Sequence, residues 1–131
     1  IGYPYLFNYL PGQEWRTQNK ESELISNHFK NTPDGLPGND DTGTMSAWLI
    51  YSMMGLYPIS PAEALYAVTS PVFDKITIQL DSRYYNQNHL VIEKEGKGVI
   101  KQLKIGEEIS KRFFINHSEL VQSNYLKIIL E

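Results

Sequence analysis

Cysteine is absent from the 131 residues, so neither a disulfide nor a thiolate metal site contributes to this protein. That absence leaves the compartment open. Basic charge is not in excess: 12 Lys and Arg stand against 15 Asp and Glu, a formal balance of −3. No basic stripe of the kind a phosphate backbone requires is present, which argues against nucleic acid as a partner. Long apolar runs are missing too. The best candidate, Ala47 to Leu56, contains Tyr51 and Ser52, falls well short of the roughly 20 residues of a membrane span, and reads as a buried helix. There is no Gly-x-Ser-x-Gly elbow, nucleotide-binding glycine loop or zinc helix motif. His28, His89 and His117 do not form a ligand cluster by spacing.

What is there divides near Ser70. Before it the apolar residues recur at helical spacing over Pro4 to Leu10, Trp15 to Phe29 and Thr42 to Leu56. Leu24, Ile25, His28 and Phe29 form one face of the second segment. Met45, Trp48, Leu49, Ser52, Met53 and Leu56 form one stripe of the third. Pro58, Ser60 and Pro61 stop that helix, and Pro61 to Tyr66 reads as a further short helix. After Ser70 the period changes to two. Ile76, Ile78 and Leu80 alternate with polar neighbours, and His89 to Glu93, Val99 to Ile105, Arg112 to Ile115 and Tyr125 to Leu130 read as strands. The charged run Glu93 to Lys97 reads as a solvated hairpin. Helices followed by strands predict an α+β fold whose second half is a small antiparallel sheet or sandwich, with units at residues 1–69 and 70–131.

The most informative segment is Gly38-Asn39-Asp40-Asp41-Thr42-Gly43, followed at once by Met45-Ser46-Ala47-Trp48. Two adjacent carboxylates sit at a loop-to-helix junction, bracketed by glycines that let the chain turn sharply and approach a ligand. Neighbouring side chains on such a loop point apart, so if one carboxylate faces a cleft, the other orients a partner or the backbone. A helix N-cap is the plain alternative for Asp41. An EF-hand reading fails, because the alternating ligands and closing glutamate are missing.

These residues, with Pro33-Asp34-Gly35-Leu36-Pro37 before them and Gly55-Leu56-Tyr57-Pro58 after, resemble the C-terminal portion of glycoside hydrolase family 92. Tyr5-Leu6-Phe7-Asn8-Tyr9 is similar to the family's tyrosine-rich segment. Gly12-Gln13-Glu14-Trp15-Arg16-Thr17-Gln18 is similar to its Gly-Gln-Pro-Trp-Lys-Thr-Gln run, with Glu14 and Arg16 replacing Pro and Lys. Ser70 to Ile78 and Ile115 to Leu120 match two later elements in order.

The resemblance implies a calcium-dependent, inverting, exo-acting α-mannosidase. Residues 1–69 would then be C-terminal helices of an (α/α)6 toroid and residues 70–131 its C-terminal β portion. Inversion requires a carboxylic acid that protonates the leaving oxygen and a carboxylate that deprotonates water on the opposite face of the sugar. By position in the family motif Asp41 is the general base and Asp40 supports it, while Asn39 stands where some relatives carry an acid. Trp15, Gln13 and Asn39 are the candidate sugar-binding residues. The family's general acid lies in an upstream Glu-Gly-Asn motif that this sequence lacks; Glu14, Glu21 and Glu23 occur in other contexts.

The expectation is therefore a C-terminal piece of a longer enzyme, inactive alone, with the missing N-terminal part and mannose-containing glycans as its partners. Calcium would be the cofactor, its ligands mostly outside this chain, and the location would be the periplasm, cell surface or exterior. Two other readings stay open: a noncatalytic carbohydrate-binding or structural module, and a remnant of a disrupted gene. His117 reads as structural, fixing a turn through Ser118 or Glu119.

Overall fold

The computed structural model describes residues 1–60 and 62–131. A 3₁₀ helix, Tyr3–Tyr9, opens the chain. Helix α1 spans Glu14–His28, begins with the favourable acidic charge of Glu14, and ends where Phe29 turns extended. Its buried residues are Thr17 and Glu21, whereas Leu24, Ile25 and Phe29 are half-buried and His28 is exposed. The apolar face read from the sequence is thus only partly covered. The reason is that the 3₁₀ helix packs along the other side, where Thr17 Oγ1 donates to the Pro4 carbonyl at 2.9 Å.

Helix α2 spans Thr44–Met54, two residues later and shorter than the pattern predicts, because Thr42 and Gly43 adopt left-handed backbone conformations. Trp48 is buried on it, stacks on Phe29 with ring centroids 5.5 Å apart, and donates its indole N–H to the Ile1 carbonyl. Past Gly55 the chain enters β1 (Leu56–Tyr57) and then β2 (Leu65–Val68). The short helix expected over Pro61 to Tyr66 is corrected: Leu65 and Tyr66 are strand, paired to the later segment Phe114–Asn116, and Pro61 lies outside the described residues. The β-branched and aromatic content of Leu65–Val68 suits a paired strand better than a helix.

The remaining strands are β3 (Lys75–Gln79), β4 (His89–Glu95), β5 (Ile100–Ile105), β6 (Glu108–Ser110) and β7 (Phe114–Asn116). Helix α3 (His117–Ser123) and strand β8 (Tyr125–Leu130) complete the chain. One sheet has the order β1-β2-β7 and the other β3-β4-β8-β5-β6. The fold is α+β, but the larger sheet is mixed and not purely antiparallel: β8 runs parallel to β4 and antiparallel to β5. Because β8 lies between β4 and β5, the charged run after Glu93 is not a hairpin. It continues β4 to Glu95 and then crosses the end of β8, where a Cβ on Gly96 would sit 2.2 Å from the Leu130 carbonyl oxygen.

Alternation along β8 buries Leu126, Ile128 and Leu130 in the main core with Leu90, Ile92 and Leu103. On the other face Tyr125 donates to Glu93 at 2.7 Å and Lys127 pairs with Glu95. The helical part is fastened to the sheets by side-chain amides. Asn8 Nδ2 donates to the carbonyls of Val68 and Phe113, while Gln18 bonds Gly98 and Ile100 through both ends of its carboxamide.

Candidate active site

Three consecutive residues of the acidic loop have positive φ: Asp41 at 51°, Thr42 at 62° and Gly43 at 87°. Glycine takes this conformation freely, aspartate at modest cost, and β-branched threonine as an outlier, so the loop stores strain of roughly 1–3 kcal/mol per non-glycine residue. The loop is held in place by the start of α2. The Asp40 carboxylate accepts the Ser46 backbone N–H at 2.8 Å and the Ser46 hydroxyl at 2.9 Å. The Asp40 carbonyl accepts Met45 N–H, and the Asp41 carbonyl accepts both N–H and Oγ1 of Thr44. The first turn of the helix is therefore capped by Asp40 side chain and loop backbone together. Asp41 contributes only its carbonyl to that cap, and its side chain is exposed beside exposed Asn39. Of the two adjacent carboxylates, Asp40 is bonded to the helix and Asp41 is exposed.

Gln13 and Trp15 are elsewhere. Gln13 is the N-cap residue of α1, without a side-chain capping bond, and Trp15, the second residue of the helix, is 42% exposed. Toward the other end of α1, Leu24, His28 and Phe29 line an apolar recess with Pro37 and Met45, which flank the acidic loop, and with Trp48. Nine residues separate Trp15 from Leu24, about 13 Å along the axis. These 131 residues bring Asn39, Asp40 and Asp41 together and leave Gln13 and Trp15 apart from them.

Glu21 is the titratable group that sequence reasoning missed. It is 3% exposed, and neither carboxyl oxygen has a hydrogen-bond partner in good geometry. Burial pushes its pKa up to about 8, against the opposing pull of the Tyr5, Ser52 and Thr69 hydroxyls. Tyr5, itself bonded to Ser52 at 2.6 Å, is raised well above the usual phenol range by burial and by the neighbouring carboxyl. A carboxylic acid that stays protonated at neutral pH has the property a general acid needs. Glu21 lies opposite Ser52, six residues and about 9 Å along α2 from the Ser46 that holds Asp40. It lines a separate recess of about 410 Å³ with Gln18, Ser70 and Lys94, to which none of Asn39, Asp40 and Asp41 contributes. No sequence signal distinguished it from the exposed Glu23 two positions on; only its place opposite Tyr5 and Ser52 does.

His117 is structural in the manner expected but by other partners. Its ring nitrogens bond the hydroxyls of Tyr66 at 3.0 Å and Tyr85 at 3.2 Å, and the turn it was expected to fix is the start of α3, boxed by Asn116 and Glu119. Among the described residues no three His, Cys, Asp or Glu side chains converge to hold a metal ion.

The profile of the glycosyl hydrolase family 92 catalytic domain matches residues 1–131. An α-mannosidase of that family from Bacteroides thetaiotaomicron superposes with a TM-score of 0.81 at 26% identity, covering 98% of this chain and 17% of that one. A family 92 inverting mannosidase from the same organism superposes with a TM-score of 0.82 at 27% identity, covering 99% of this chain and 18% of that one. An uncharacterized secreted glycosidase of Arthroderma benhamiae is 32% identical over 75 residues, 57% of this chain and 10% of the relative. The chain thus spans less than a fifth of the length of each of these relatives.

Proposed function

The chain belongs to glycosyl hydrolase family 92, and from that premise we propose that it is the C-terminal part of an inverting exo-α-mannosidase acting on α-1,2-linked mannose of glycans. In this reading Asp41 is the general base that deprotonates the attacking water, and Asp40 is a positioning residue. The observation that carries the proposal is the division of labour in the loop: Asp40 is fully engaged by Ser46, while Asp41 is presented to solvent on a strained left-handed turn. A base on such a turn is fixed by the backbone before substrate arrives, so little reorganisation is required in the transition state.

Residues 1–69 would supply helices to an (α/α)6 toroid, and residues 70–131 its β portion. Exposed Leu6, Leu10, Trp15 and Ile50 and the half-covered face of α1 are surfaces that further helices of the same polypeptide would bury. Trp15, Gln13 and Asn39 would reach the sugar only in that larger assembly. The general acid and most of the calcium ligands would belong to it as well. Secretion, or residence at the cell surface or in the periplasm, agrees with the secreted fungal relative, and among the described residues no helix is long and apolar enough to cross a membrane.

Proton NMR of the full-length protein acting on an α-mannoside tests the reading. β-Mannose as the first-formed product supports a base-activated water attacking opposite the leaving group. α-Mannose as the first product would require a covalent intermediate and assign Asp41 another role.

A further inference from the structure

We propose that the loop between β3 and β4 forms a second, noncatalytic binding site for neutral saccharides. It lies on the β portion, and it stands whether or not Asp41 is the base. Tyr84, Tyr85, Asn86 and Gln87 line a recess of about 240 Å³ together with Val121 and Gln122 of α3. Tyr84 is 77% exposed, the most exposed of the large apolar side chains of the described residues.

The ring is held ready by its own turn. Asp81 accepts the Arg83 N–H at 2.9 Å, and its carbonyl accepts the N–H groups of Tyr84 and Tyr85 at 3.0 and 3.1 Å. The Arg83 guanidinium pairs with the same Asp81 carboxylate, holding it below the usual carboxylate range, and lies over one face of Tyr84 at 5.6 Å. On the opposite wall Tyr85 is fixed through its hydroxyl to His117 Nε2 at 3.2 Å, and the Gln87 carbonyl oxygen accepts Asn124 Nδ2 at 3.4 Å, which leaves the Gln87 amino group pointing its two donors elsewhere.

The lining chemistry selects the ligand. Aromatic faces take the C–H face of a pyranose, and carboxamides, each offering a donor and an acceptor side by side, match vicinal hydroxyls. No acidic or basic side chain lines the recess, and the nearest guanidinium is consumed by Asp81, so phosphate, carboxylate and ammonium ligands find no counter-charge. Two tyrosines and three carboxamides around a space of monosaccharide size fit a neutral sugar.

The test is affinity electrophoresis and calorimetry of the full-length protein in an Asp41→Asn background, against soluble α-mannan, dextran and the anionic polygalacturonate. Neutral-polymer binding that falls roughly tenfold in Tyr84→Ala, and again when Gln87 and Gln122 become alanine, supports the site. Tyr84 is exposed, so its removal leaves the fold intact, which circular dichroism checks. Three outcomes overturn the proposal: no binding to either neutral polymer, binding that Tyr84→Ala does not change, or Tyr84-dependent binding confined to polygalacturonate.

Discussion

Replacing Glu21 by Gln should change how stability depends on pH more than it changes stability itself. The carboxyl is 3% exposed and its pKa is raised from 4.5 to about 8. Between those two values the unfolded chain has released the proton and the folded chain still holds it, so stability falls as pH rises. The advantage of the neutral form is complete below about pH 4.5 and is lost as the pH passes through about 8. At about 1.4 kcal/mol per unit, the wild-type protein should lose roughly 4–5 kcal/mol relative to Glu21→Gln across that window, an upper bound because water entering the cavity beside Glu21 would reduce it. Glutamine keeps the volume and cannot ionise, so the comparison cancels every other titrating group. Urea unfolding followed by the fluorescence of Trp48, run for both proteins from about pH 5 to pH 9, reads the difference directly. A constant gap between the two curves across that range would refute the reasoning, since it would mean that Glu21 ionises at an ordinary carboxylate pKa.

Other expectations concern the loop and the sheet. Asp40→Ala removes both bonds to Ser46 and should cost about 1–2 kcal/mol in urea unfolding, whereas Asp41→Asn, whose side chain makes none of them, should be nearly neutral. Thr42→Gly relieves a threonine held at φ 62° and should raise stability by about 1 kcal/mol in the same assay while lowering turnover if the strain positions Asp41. Gly96→Ala places a methyl group 2.2 Å from the Leu130 carbonyl oxygen at a φ of 87°, and should destabilise the β portion by at least about 2 kcal/mol, seen as a lower melting temperature.

Local signals carried much of this fold. Strand β8 follows the alternation of Tyr125 to Leu130 residue for residue, and α1 lies within two residues of its pattern, since both rest on periodicity alone. The mixed topology was not legible, because a parallel neighbour for β8 depends on where β5 to β7 travel and not on its own residues. Helix α3 was not anticipated, although its start is marked in the sequence: Asn116-x-x-Glu119 is a capping-box signature standing directly after a strand. At the site, which of Asp40 and Asp41 caps the helix required the backbone, since either could have bonded the first turn. The burial of Glu21 depends on Tyr5, Ser52 and Thr69, which arrive from distant parts of the chain, and no local pattern announces it.

The central claim is that Asp41 acts as a base while Asp40 holds the loop, and release of mannose from an α-1,2-mannobioside by the full-length protein tests it most directly. The account predicts that Asp41→Asn, folded as the parent is, lowers turnover by roughly a hundredfold or more, and that Asp40→Asn costs less. Turnover that survives intact in Asp41→Asn while Asp40→Asn abolishes it would contradict the account and exchange the two roles.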